Sequence, residues 1–199
     1  MAKDAKSAFC EDSRVKFPTL MHLMGMGFKY VSLKGLKTKY VEAPKTEFDP
    51  LTNILTDYFT DAYCTLNPKA EKKDAEDMLV KIQKSLQNDD LGRQFYNEIL
   101  LNTGERIIDL SSPANFYRNN TFQVTTEMTC GSKDSDNYRP DITIFVNGLP
   151  LAFIEVKKEN NHKGIQAETD RMKQRFVNPQ YRRFLNLSLI HISEPTRPY

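Results

Sequence analysis

The sequence predicts one compact α/β domain in which a mixed central sheet has helices on both sides. Two observations carry this expectation. Up to Gly104 the apolar residues recur with the helical period of 3.6, and after it the period shifts toward 2, that of strands. Within the second half, residues 140–157 read as two strands, apolar at almost every position, around an Asn147-Gly148 turn. That is the pattern of a sheet centre covered on both faces. A chain of 199 residues can bury such a core without staples, and 8 Gly and 10 Pro are too few for a collagen-like or low-complexity chain.

The elements follow in order. Residues 10–25 carry Val15, Leu20, Leu23 and Met24 at roughly helical spacing, with Pro18 restarting the helix and Gly25 and Gly27 ending it. The polar stretch 35–47 is expected to be loop. Asp49-Pro50 looks like an N-cap followed by proline at the first helical position, with Leu51, Ile54, Leu55, Tyr58 and Phe59 then on one face. Asn67-Pro68 repeats the device before a stripe of Met78, Leu79, Ile82 and Leu86. A third helix is expected over about 91–101, capped by Asp89 or Asp90 and stopped near Gly104. Residues 106–110 and 121–128 alternate like strands, residues 131–139 form a polar turn, and residues 164–176 read as a basic amphipathic helix.

Charge and cysteine content narrow the function classes. The net charge of +2 is too balanced to reveal a nucleic-acid partner, so any such partner must be read from local patches. Cys10, Cys64 and Cys130 are odd in number and far apart, which fits neither a disulfide framework nor a paired zinc knuckle. A reducing cytoplasm is the expected compartment. The N-terminus is polar, and nowhere do 18 apolar residues run together, so secretion and membrane spanning are set aside.

Three ionisable residues interrupt the apolar hairpin: Asp141, Glu155 and Lys157. Glu155 and Lys157 are two apart and share one face of their strand. A two-residue Asn147-Gly148 loop would set Asp141 opposite Ile154, on the other face. A three-residue loop, Asn147 to Leu149, would set it opposite Glu155. An odd-length loop with Gly148 at positive φ, or a bulge of the same effect, is therefore expected. Two carboxylates ~4 Å apart repel by roughly 4 kcal/mol at an effective dielectric near 20, and a divalent cation removes the conflict. Asp141 and Glu155, helped by the Val156 carbonyl, suit magnesium, a hard ion that keeps waters and bridges to phosphates. Lys157 could then orient a water and offset developing negative charge at a scissile phosphate. The plainer alternative is a buried salt bridge of Lys157 with Glu155.

The run from Arg139 to Lys158 resembles the nuclease core of the restriction (R) subunit of type I restriction enzymes, a branch of the PD-(D/E)xK nucleases. Glu11 to Pro18, Asp90 to Tyr96, Ile107 to Leu110 and Arg171 to Asn178 resemble that family's N-terminal domain as well. The resemblance implies a restriction-endonuclease-like fold and Mg²⁺-dependent cleavage of double-stranded DNA. It implies Asp141 and Glu155 as metal ligands, Lys157 as the catalytic lysine, and Glu11 as an acid of the first helix that can complete the metal site. It also implies an ATP-driven motor in the complete subunit, and methylation and specificity subunits as partners. The family's Gln-x-x-x-Tyr motif is not met, since Gln166 is followed four residues on by Asp170. No phosphate-binding G-x-x-x-x-G-K-[ST] loop occurs, so this chain alone is expected neither to hydrolyse ATP nor to translocate.

Between Lys157 and Arg183 eight basic residues face three acids, an excess of five, against +2 for the whole chain. This patch, with Lys158, Lys163, Arg171 and Arg175 as its expected DNA contacts, would hold phosphates without reading sequence. Residues 187–199 resemble translated adapter sequence fused to a truncated gene, which would end the domain at residue 186. Two rivals remain open: a module that binds DNA or docks subunits without cutting, and another, structure-selective nuclease built on the same hairpin.

Overall fold

The computed structural model describes residues 15–32, 48–49, 51–101, 104–130, 138–156, 162–179, 181–188 and 190–192. Among these residues five strands form one mixed sheet in the order β1-β2-β3-β4-β5. They are β1 (Lys29–Tyr30), β2 (Phe122–Thr126), β3 (Ile142–Val146), β4 (Leu149–Ile154) and β5 (Ile190–Ile192). The central pairs β2/β3 and β3/β4 are antiparallel, and the outer pairs β1/β2 and β4/β5 are parallel. Among the described residues six α-helices accompany it: α1 (Phe17–Gly25), α2 (Thr56–Leu66), α3 (Lys72–Ser85), α4 (Pro113–Asn119), α5 (His162–Val177) and α6 (Arg182–Leu187). Phe95–Leu100 is a π-helical segment.

Both faces of the sheet are covered, as the apolar hairpin predicts. Phe145 and Val146 are neighbours on β3 and so point to opposite faces. Val146 packs with Phe59 and Tyr63 of α2, Met78 and Ile82 of α3, and Phe95. Phe145 packs with Val31, Leu55 and Met128. A third cluster joins Phe153 of β4 to Met172 of α5 and to Phe184 and Leu185 of α6, with Tyr138 between them. Cys130 lies in this cluster, where burial pushes its thiol up to about 12, so it acts as a neutral packing group.

Several local expectations are corrected. The helix after Asp49 starts later, at Thr56. The Asp49 carboxylate accepts bonds from the Leu51 N–H and the Thr52 hydroxyl, closing a turn instead of a helix. Asn53 then takes a left-handed φ of 59°. Asn67 does not open α3. Its amide bonds the Tyr63 carbonyl at the end of α2 and both backbone groups of Arg106, while α3 opens with a Glu71/Asp74 capping box. Residues 106–110 are not a strand, because side chains rather than a neighbouring strand take their backbone groups. Asn147 bonds the Ile107 carbonyl, and Asn120 bonds both the N–H and the carbonyl of Asp109. Helix α4 was not expected, although Ser112-Pro113 carries its signal, the Ser112 hydroxyl accepting from the Asn115 N–H. Strand β1 and helix α6 were also not expected. The loop expected at 35–47 and most of the turn at 131–139 lie outside the described residues.

Beyond residue 186 the described fold continues. Leu187 is buried, the Ser188 hydroxyl donates to the Pro150 carbonyl, and Ile190–Ile192 pairs in parallel with β4.

Candidate functional site

The turn between β3 and β4 has two residues, Asn147 and Gly148, both at positive φ (51° and 76°), with Val146 paired to Leu149. The expected three-residue loop is therefore absent. The register instead shifts between Ile144 and Phe145: Phe145 pairs with Pro150, whereas Ile144 pairs with Ala152. Leu151 is thus the extra residue of a β-bulge, the second of the two expected devices. From there the ladder runs Thr143 to Phe153 and Ile142 to Ile154, where the two strands end, and the same register continued by one step would set Asp141 opposite Glu155. Opposed residues of an antiparallel pair share a face. The Asp141 carboxylate reaches across to β4, its Oδ2 accepting the Val156 N–H at 2.9 Å. Of the three residues expected to hold a metal, Asp141 and Val156 are joined by this bond, and Glu155 is the chain neighbour of Val156.

Cations of the chain meet the acids here. Lys16, at the start of α1, places Nζ 2.9 Å from Oε1 of Glu127 and 3.9 Å from Oδ1 of Asp141. Glu127 follows directly on β2 at a φ of 55°, its N–H donating to the Asp141 carbonyl at 3.2 Å, and Arg139 stands 4.0 Å from its other oxygen. Arg175 of α5 lies 3.9 Å from Oε1 of Glu155. Its guanidinium is stacked 4.1 Å over the Tyr138 ring and donates to the Met172 sulfur. Glu155 is 7 % exposed, and a carboxylate that deep needs such a partner.

Lys16 and Glu127 were not singled out in the sequence. The signal for Lys16 was the stretch Glu11 to Pro18, and that for Glu127 an acid closing an apolar strand. Lys157, Lys158 and Glu11 lie outside the described residues. Lys163 sits on the first turn of α5. Arg171 is exposed on the same helix, whereas Arg175, expected to face phosphate, turns to Glu155 and Tyr138. Gln166 donates to Asp170, the residue standing where the family motif would have tyrosine.

Among the described residues no group of three or more His, Cys, Asp or Glu side chains could hold a metal. Asp141, Glu155 and the Val156 carbonyl would offer two carboxylates and a backbone carbonyl, all hard oxygens. This suits magnesium, which takes one or two carboxylates and fills the rest of its shell with water. An open hollow between α3 and the π-helical segment, lined by Lys81, Lys84, Gln94 and Glu98 among others, shares no residue with this site.

A mixed sheet with flanking helices and acids at the open end of its central hairpin is compatible with a restriction-endonuclease-like domain. The family model for the type I restriction enzyme R protein N terminus matches residues 9–194, and the chain belongs to that family. It is thus the N-terminal region of a type I restriction enzyme R subunit. The matched range runs through α6 and β5, past the boundary expected at residue 186. The comparison with curated proteins returned no match. No helix among the described residues is long and apolar enough to cross a membrane.

Proposed function

We propose that this domain cleaves double-stranded DNA in a Mg²⁺-dependent reaction, as the nuclease part of a type I restriction-modification R subunit. The observation that carries the reading is the bulge at Leu151, whose register, continued one step past Ile142 and Ile154, would set Asp141 opposite Glu155 at the open end of an otherwise apolar hairpin. Glu155 is buried and Asp141 half-buried, and a pair of neighbouring acids in an apolar hairpin calls for positive charge. Asp141, Glu155 and the Val156 carbonyl would hold the ion, which when bound supplies Lewis-acid charge and an activated water. Asp141 is held ready by the Val156 N–H. Lys157 follows directly on the metal residues and would offset charge developing on the phosphate. Glu11, five residues before Lys16, would complete the acid set from the chain leading into α1. Lys158, Lys163 and Arg171 would contact the DNA backbone. Methylation and specificity subunits would be the partners, ATP would serve only the motor of the full subunit, and the cytoplasm would be the compartment.

The rival reading, a module that holds DNA or docks subunits without cutting, draws on one observation. Asp141 and Glu155 each already have a cation of the chain within 4.0 Å. Incubation of supercoiled plasmid with the protein and Mg²⁺ separates the two. Nicked and linear products from wild type, lowered at least about 100-fold in Lys157→Ala and Glu155→Gln, are expected of a nuclease. Retained DNA binding with plasmid left equally intact by wild type and variants would establish the binding module.

A further inference from the structure

Resting on the metal reading above, a second property of the site follows from its cations. Lys16 and Arg175 come from helices at opposite ends of the chain, yet each stands 3.9 Å from an oxygen of one carboxylate of the pair. Each also has an anchor outside the donor pair. Lys16 is hydrogen-bonded to Glu127 at 2.9 Å, with Arg139 on that acid's other oxygen. Arg175 is clamped between the Tyr138 ring and the Met172 sulfur. Both side chains are largely buried, at 13 % and 22 % exposure, so water screens them little. Cations tethered in this way neutralise the carboxylates when no ion is present and remain to repel one that arrives.

We propose that Lys16 and Arg175 are positioning residues that act as resident counter-cations of Asp141 and Glu155, stabilising the metal-free site and holding down its affinity for a divalent ion. Two consequences have opposite signs. Removing either charge tightens metal binding while it weakens the metal-free fold. Removing the anchor of Lys16 instead releases the ammonium toward Asp141 and weakens metal binding. A cation that only braced the fold would lower stability equally with and without metal.

Isothermal titration with Mn²⁺, paired with thermal melts in EDTA and in Mn²⁺, tests this. Lys16→Met and Arg175→Met are expected to bind Mn²⁺ about five- to tenfold more tightly than wild type. They are also expected to melt lower in EDTA and to show a larger upshift on adding metal. Lys16→Arg and Arg175→Lys should keep wild-type affinity, and Glu127→Gln should bind more weakly. Wild-type or weaker affinity in both methionine variants would overturn the inference. Should those variants fail to fold, unchanged affinity in Glu127→Gln overturns it. Failure of the metal reading itself looks different: wild type would show no saturable Mn²⁺ binding, or Glu155→Gln would bind as wild type does, and the inference would fall with it.

Discussion

Asp109 is a buried carboxylate held by hydrogen bonds. It accepts from the Ser111 N–H and hydroxyl and from the Asn119 amide, and these bonds hold its pKa down to about 2 from the usual 3.8. A group whose folded pKa is depressed stabilises the fold above its unfolded pKa and loses that contribution as pH falls through the folded value. Asp109→Asn should therefore be less stable than wild type at pH 7, and the gap should close between about pH 4 and pH 2, as read from urea midpoints. Asn147, two strands away, serves the same network. Its amide bonds the Ile107 carbonyl, the Asn120 side chain and the Thr121 N–H, so one residue fixes both the turn and the segment expected to be a strand.

Among the elements, the β3/β4 hairpin decides the site, and its turn is pinned from outside. The Gly148 N–H donates to the buried Gln123 side chain, and its carbonyl accepts from the Leu55 N–H just before α2. A Cβ on Gly148 would lie 2.5 Å from the Leu55 carbonyl oxygen and 2.8 Å from the Phe59 nitrogen, both backbone atoms that cannot yield cheaply. Gly148→Ala should cost about 2–4 kcal/mol in chemical denaturation, combining that clash with left-handed strain. Gly27→Ala, also at positive φ but with nothing within 4 Å, should cost only about 1 kcal/mol. Equal costs would mean that close approach to α2 does not hold the turn. The legibility of such elements in the sequence was uneven. The α3 stripe of Met78, Ile82 and Leu86 could be read from spacing, because burial on one helix face leaves a periodic trace. Residues 106–110 carried a strand pattern without the strand, because Asn120, Asn147 and Asn67 take up their backbone groups from distant positions.

At the scale of the molecule, the two sides of the sheet are closed by different parts of the chain. Helices α2 and α3 close one part of the core, and α5 and α6 close the cluster around Phe153. Phe184 ties the second cluster together, with ring centroids 5.8 Å from Phe153 and 6.0 Å from Tyr138. Phe184→Ala should cost about 3–5 kcal/mol of global stability in a urea melt. Because Tyr138 also carries Arg175, the same variant should disturb the surroundings of Glu155. Strand β5 lies beyond residue 186, inside the range that the family model matches. Edge pairing runs through the backbone, and Ile-His-Ile has the β-branched alternation that a sheet edge accepts.

The amino-acid sequence alone determined the α/β class, the apolar hairpin, and the presence of Asp141 and Glu155 within it. Periodicity, caps and misplaced charges are local properties that each segment carries with it. Only the tertiary structure decided that the bulge falls at Leu151 and that Lys16 reaches Glu127 across 111 positions of the chain. The reason is that strand side chains alternate with a period of 2, so a one-residue shift reverses every face. Which register prevails is set by the bodies packed against the hairpin, and so is the choice of cation beside each acid.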